Sequence, residues 1–173
     1  IVGIGGLGHI AVQFARAMGC EVIAFDPIED KREEAFELGA HAFFKPDQLA
    51  DFAQKRQPLD FLLVTAFADL DWPAWLDTLG VTGVACLVGL AKGNITGPPD
   101  HMLDGQKIVT GSVIGSPATM RRMLEFAAQH EITPRTELMP MSQAAEAVES
   151  TCREGCWRVQ GLRGEGVAAP LAL

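Results

Sequence analysis

At 173 residues the chain is long enough for one full domain with its own core, and 48% apolar with 21% charged residues argues against disorder. A formal net charge of -8 repels phosphate backbones, which disfavours a nucleic-acid partner. No apolar run reaches the ~20 residues of a membrane span; the run 81–90 is short and is broken by Gly83 and Gly89.

The chain starts Ile1-Val2-Gly3, without Met or a basic leader and inside a motif, so residues are expected upstream and no signal peptide is expected. Cys20 and Cys86 lie beside and inside predicted strands and read as small core residues. Cys152 and Cys156 are four apart, but no His or further Cys lies close in sequence, so a metal site there is disfavoured. A reducing, cytoplasmic setting is the expectation.

Short apolar runs alternate with amphipathic ones, the mark of βαβ units. Residues 1–4 are the stub of a first strand; 7–18 form a helix carrying Ile10, Phe14 and Met18 on one face and stopped by Gly19. A strand at 21–26 precedes a charged helix at 29–38 that buries Ala35 and Leu38, and a strand follows at 42–44. Pro46 opens a weak helix towards Arg56, before an almost wholly apolar strand at 59–65. A short helix at 72–79, with Pro73 in its first turn, leads to strand 81–90, loop 91–99 and strand 107–114. The expected architecture is α/β: a doubly wound parallel six-stranded sheet (Rossmann) over residues 1–115.

Beyond residue 115 an α+β appendage is predicted to 163. It comprises a helix from Ser116 and Pro117 to about His130, an extended piece at 135–140, a helix at 142–153 and a strand near Trp157. Residues 164–173 read as a flexible tail.

Gly3, Gly5 and Gly8 match G-x-G-x-x-G. In such a turn the first glycine allows the tight exit from the strand, the second lets the backbone approach a pyrophosphate, and the third lets helix and strand pack closely. The helix then directs unpaired N–H groups and the positive end of its dipole at the phosphates. A lone motif of this kind is weak, but here a strand precedes it, an amphipathic helix follows, and Asp26 ends the next strand. A carboxylate there accepts hydrogen bonds from both ribose hydroxyls of NAD and repels the 2′-phosphate of NADP, with Lys31 and Arg32 offsetting part of the repulsion. NAD is therefore favoured over NADP.

The segments Ile4-Gly5-Gly6-Leu7-Gly8-His9, Ala11-Val12-Gln13-Phe14-Ala15 and Ala17-Met18-Gly19 resemble the first βα unit of zinc-dependent medium-chain alcohol dehydrogenases. The cinnamyl-alcohol-dehydrogenase-like branch is also matched by Lys31-Arg32-Glu33-Glu34-Ala35, Leu87-Val88-Gly89-Leu90, Gly111-Ser112-Val113-Ile114-Gly115 and Met123-Leu124-Glu125-Phe126, in the family's order. The resemblance implies an oxidoreductase moving hydride between an alcohol or aldehyde and a nicotinamide, of which this chain is the cofactor-binding part.

The same resemblance implies that the backbone of Gly5, Gly6, Leu7 and Gly8 cradles the pyrophosphate beyond the Gly3 turn, and that Asp26 holds the adenosine ribose with Lys31 nearby. Thr65 and Ala66 match positions beside the nicotinamide ribose, and Val88, Gly89 and Leu90 match the segment lining the nicotinamide. Ser112, Val113 and Ile114 match the backbone gripping the carboxamide, and Arg158 matches an arginine reaching back to the phosphates. The catalytic zinc and proton relay are expected in an N-terminal domain without counterpart here, so the chain alone should not turn over alcohol. His9, His41, His101 and His130 have no mutual spacing for a metal site and read as surface or turn residues. A homodimer joined through strand 107–114 is compatible with the family, and the apolar faces of 116–159 call for a cover. Two competing readings remain open: a stand-alone dinucleotide-binding module or sensor without catalysis, and a methyltransferase, disfavoured because Ile1 and Val2 stand where an acidic residue is usual.

Overall fold

The computed structural model describes residues 1–55, 57–153 and 159–163. Strands β1 (Ile23–Phe25) and β2 (Ala42–Phe44) pair in parallel. So do β3 (Leu59–Val64), β4 (Leu79–Leu87) and β5 (Ile108–Gly111). Val2 joins the two groups, bridged in parallel to Phe25 on one side and Val64 on the other. The Phe25 amide donates to Ile1 O at 2.9 Å, Gly3 to Phe25 O at 2.8 Å, Val2 to Leu63 O at 2.8 Å and Thr65 to Val2 O at 3.0 Å. The spatial order β2, β1, Val2 segment, β3, β4, β5 is that of a doubly wound sheet whose direction of winding reverses beside the Val2 segment.

Both faces of the sheet are covered at β1 and β2, while Phe61 of β3 and Ile108 of β5 are exposed, and the alternation of strand side chains sorts the two cores. Ile23 and Phe25 point into one core with Leu62, Val64, Trp72 and Trp75, while Ala24 points into the other with Ile4, Val12, Ala35 and Leu38. The Phe25 ring meets those of Trp75 and Phe52 edge-on, at centroid distances of 5.1 and 5.3 Å.

Helix α1 (Gly8–Ala17) buries Val12 and ends in a left-handed Gly19 (φ 84°), with Gly19 N bonded to Arg16 O and Cys20 N to Ala15 O. Helix α2 (Lys31–Glu37) buries Ala35. A 3₁₀ turn at Pro46–Gln48 enters α3 (Leu49–Lys55), and Arg56 lies outside the described residues. Asp71 caps α4 (Trp72–Leu76), and α5 (Asp100–Leu103) is a single turn not anticipated from sequence.

Ser116 caps α6 (Pro117–Gln129) by accepting from the Thr119 amide at 3.2 Å. The Phe126 ring of α6 stacks on Phe14 of α1 at 5.7 Å. Strand β6 (Thr136–Pro140), a 3₁₀ turn, α7 (Ala144–Arg153) and β7 (Val159–Arg163) then form a separate parallel βαβ unit. Its last strand begins beyond Trp157, which lies outside the described residues, as do Cys156, Arg158 and 164–173.

Several expectations need correction. Strand β4 starts two residues early and stops at Leu87, with a register shift near its start, so residues 88–90 lie beyond the sheet. Strand β5 stops at Gly111, which leaves 112–114 outside it as well. Cys86 is buried as expected, but Cys20 is exposed, because the chain leaving the Gly19 turn reaches the sheet only at Ile23.

Candidate functional site

The carboxyl ends of the Val2 segment and β3 meet where the order of strands reverses, and the glycine turn closes over that point. A Cβ on Gly8 would stand 1.8 Å from the Gly3 carbonyl oxygen, so α1 can start this close to the strand exit only without a side chain there. Gly3 has φ +90°, and a Cβ on it would lie 3.0 Å from the Ala66 backbone. Thr65 Oγ1 donates to the Gly3 carbonyl at 2.7 Å, with Val2 O also within 3.0 Å. No side chain caps α1 at Leu7, and within its first turn the His9 amide bonds back to Gly5 O at 3.0 Å.

Asp26 follows β1 and is only 3% exposed. Its Oδ2 accepts from the Ile4 amide at 2.7 Å and from Lys31 Nζ at 3.2 Å, and its Oδ1 accepts from the Ile28 amide at 3.0 Å. Three donors and one positive charge compensate the buried carboxylate and tie it to the glycine turn. Farther out, Arg32 lies 4.9 Å from the centroid of the Phe43 ring and pairs with Glu29, whose exposed carboxyl that hydrogen bond holds below the usual range.

Across the turn, the amides of Val88 and Gly89 both bond to Val64 O, at 3.0 and 3.1 Å. A Cβ on Gly89 would fall 2.5 Å from Thr65 O, so β4's exit crosses directly over β3's end. The Ser112 amide bonds to Leu87 O at 2.9 Å. The structure thus brings Gly3, Gly5, Gly6, Leu7, Gly8, Asp26, Lys31, Thr65, Ala66, Val88 and Gly89 to one end of the sheet. Leu90, at 83%, and Val113 and Ile114, at 88%, stand exposed beyond it, and Arg158 lies outside the described residues. An open groove of about 530 Å³ runs from Leu7, Thr65 and Val88 along Phe14 of α1 to Met123 and Phe126 of α6.

Contrary to the surface position expected from sequence, His9 is buried, at 5% exposure. Its Nδ1 lies 3.0 Å from the Gly5 carbonyl and its Nε2 accepts from the Arg135 amide at 3.2 Å. Its signal was present in the sequence, three residues before Val12 on the buried face of α1. His41 is exposed and accepts from the Val22 amide, His101 pairs with Asp77 at 2.7 Å, and exposed His130 lies against the Phe126 ring. Among the described residues no three His, Cys, Asp or Glu side chains cluster as a metal would need.

Residues 6–129 match the family described as zinc-binding dehydrogenase. The chain is 39% identical over 148 residues to an aldehyde reductase of Synechocystis sp., covering 86% of this chain and 44% of that protein. Its structure is similar to a cinnamyl alcohol dehydrogenase of Sorghum bicolor, with TM-score 0.80, 32% identity and coverage of 94% of this chain and 45% of that one. It is also similar to a Helicobacter pylori enzyme whose structure is described as CAD complexed with NADP(H), with TM-score 0.75, 28% identity and coverage of 94% and 45%. The chain spans less than half the length of these relatives. An ordered match over most of the chain, on a sheet wound in the same way, is more than a shared glycine turn can produce: the chain belongs to the zinc-binding dehydrogenase family.

Proposed function

We propose that the chain is the nicotinamide-dinucleotide-binding part of a dehydrogenase that interconverts alcohol and aldehyde. The observation that carries this reading is Asp26, a buried carboxylate bonded at 2.7 Å to the Ile4 amide, at the mouth of an uncapped glycine turn. The amides of Gly5, Gly6, Leu7 and Gly8, at a helix start with no side-chain cap, suit a pyrophosphate, and ribose hydroxyls would replace Lys31 as donors to Asp26. Thr65 and Ala66, Val88 to Leu90, and Ser112 to Ile114 line the path from the ribose to the nicotinamide and its carboxamide. When bound, the nicotinamide gives or accepts the hydride. The chain's own residues orient it and exclude water from its inner side. The zinc named by the family has no ligand cluster among the described residues.

Asp26 favours NAD through repulsion of a 2′-phosphate. A specific observation favours NADP instead: the Helicobacter pylori relative was solved with NADP(H), and Lys31 and Arg32 lie within six residues of Asp26. Fluorescence titration of the chain with NADH and NADPH separates these readings. Tighter NADH binding, weakened ~10-fold or more in Asp26→Ala by loss of charge-assisted bonds, supports the NAD site. Binding of neither dinucleotide overturns the function.

A further inference from the structure

The His9 ring has its hydrogen-bonding roles dictated by its partners. The Gly5 carbonyl can only accept, so Nδ1 carries the proton; the Arg135 amide can only donate, so Nε2 must be bare. The bonded ring is therefore neutral and of one tautomer. Both partners are held from behind. The Gly5 carbonyl also accepts from the His9 amide at 3.0 Å. The Arg135 guanidinium pairs with Glu37 at 2.6 Å and Glu34 at 3.6 Å, and Thr133 exchanges two bonds with the Gln13 side chain.

The consequence follows from the planarity of the peptide. In a trans peptide the carbonyl and the next N–H point in opposite directions. Fixing the Gly5 carbonyl towards His9 therefore fixes the Gly6 N–H away from the helix, on the side from which a phosphate approaches.

We propose that His9 is a positioning residue whose neutral ring locks the Gly5–Gly6 peptide to the segment at Arg135, so that dinucleotide affinity falls when the ring is protonated. Protonation puts a hydrogen on Nε2 against the Arg135 N–H, two donors face to face, so the ring loses its Arg135 anchor while Nδ1–H still faces the Gly5 carbonyl. The inference rests on the cofactor reading above. The charged groups tied to the ring's partners are the Arg135 guanidinium and, paired with it, Glu34 and Glu37 of α2. His130, against the Phe126 ring that stacks on Phe14 of α1, is the other imidazole beside this tie. His130 is thus the internal control.

The test is NADH affinity of the full chain at pH 8 and pH 5.5 for wild type, His9→Asn, His9→Gln and His130→Asn. Asn keeps an N–H near the place of Nδ1, Gln keeps an acceptor near that of Nε2, and neither titrates. Wild type and His130→Asn should bind ~10-fold more weakly at pH 5.5, the worth of about one hydrogen bond, and both His9 variants should show flat profiles. A flat wild-type profile, or a wild-type slope retained in His9→Asn, overturns the proposal. Long-range ¹H–¹⁵N imidazole correlations on the wild-type chain give a readout independent of ligand and of variant folding. The proton on Nδ1 with Nε2 bare supports the lock, and the Nε2–H tautomer overturns it. Failure of NADH to bind wild type at pH 8 removes the cofactor reading itself, an outcome distinct from a wrong tautomer.

Discussion

Asp26 and Lys31 form an ion pair whose side chains are almost out of water, 4% and 12% exposed, so each depends on the other. Breaking such a pair leaves an unbalanced charge, although the Ile4 and Ile28 amides would still support the carboxylate. Lys31→Met should therefore lower stability by about 1–3 kcal/mol in thermal or urea unfolding. Asp26→Leu combined with Lys31→Met should cost less than the sum of the two single changes; strict additivity would mean the pair is not coupled. The presence of an acid at this position was legible in the sequence, because it ends a strand that follows a glycine turn. Its inward bonds were not, since they depend on how close the Ile4 amide comes, a distance set by tertiary packing.

Glycine turn, strand ends and caps belong to the element scale. Gly8→Ala puts a methyl group 1.8 Å from a backbone carbonyl that cannot swing away, so α1 must shift. The expected outcome is loss of the folded helical signal or, where the fold survives, loss of dinucleotide binding; an unchanged melting curve would contradict the packing described. Trp75→Ala removes a fully buried ring from its edge-on contact with Phe25 and should cost about 3–5 kcal/mol in unfolding experiments.

Helices with clear stops and caps, such as α1 before Gly19 and α6 after Ser116, were readable to within a residue or so. Strands β4 and β5 end at Leu87 and Gly111, before the apolar pattern of the sequence does. Val88, Leu90, Val113 and Ile114 continue the apolar pattern, yet the backbone leaves the sheet after Leu87 and Gly111 to cross over it. Apolar composition alone does not tell a buried strand from an exposed apolar loop.

At the scale of the molecule, parallel order followed from alternating runs, but full two-sided burial of β3 and β5 and the cover of the late segment did not. Helix α6 has no fully buried residue, and Leu124, Val113, Ile114 and Ile108 are exposed. So much apolar surface on one chain is unusual for a monomer. The chain should dimerise or bind an apolar dye at micromolar concentration in sedimentation and fluorescence measurements. A dye-silent monomer would show that these side chains tolerate water. The tie between His9 and Arg135 was equally invisible in sequence, since it joins residues 126 positions apart.

Whether the glycine turn receives the dinucleotide is read from an amide ¹H–¹⁵N map of the labelled chain titrated with NADH. The largest shifts are expected at Gly5, Gly6, Leu7 and Gly8, with further shifts around Asp26 and across the sheet at Thr65, Val88 and Gly89. Shifts confined to the groove between Phe14 and Phe126, or none at saturating NADH, would contradict a dinucleotide site at that turn.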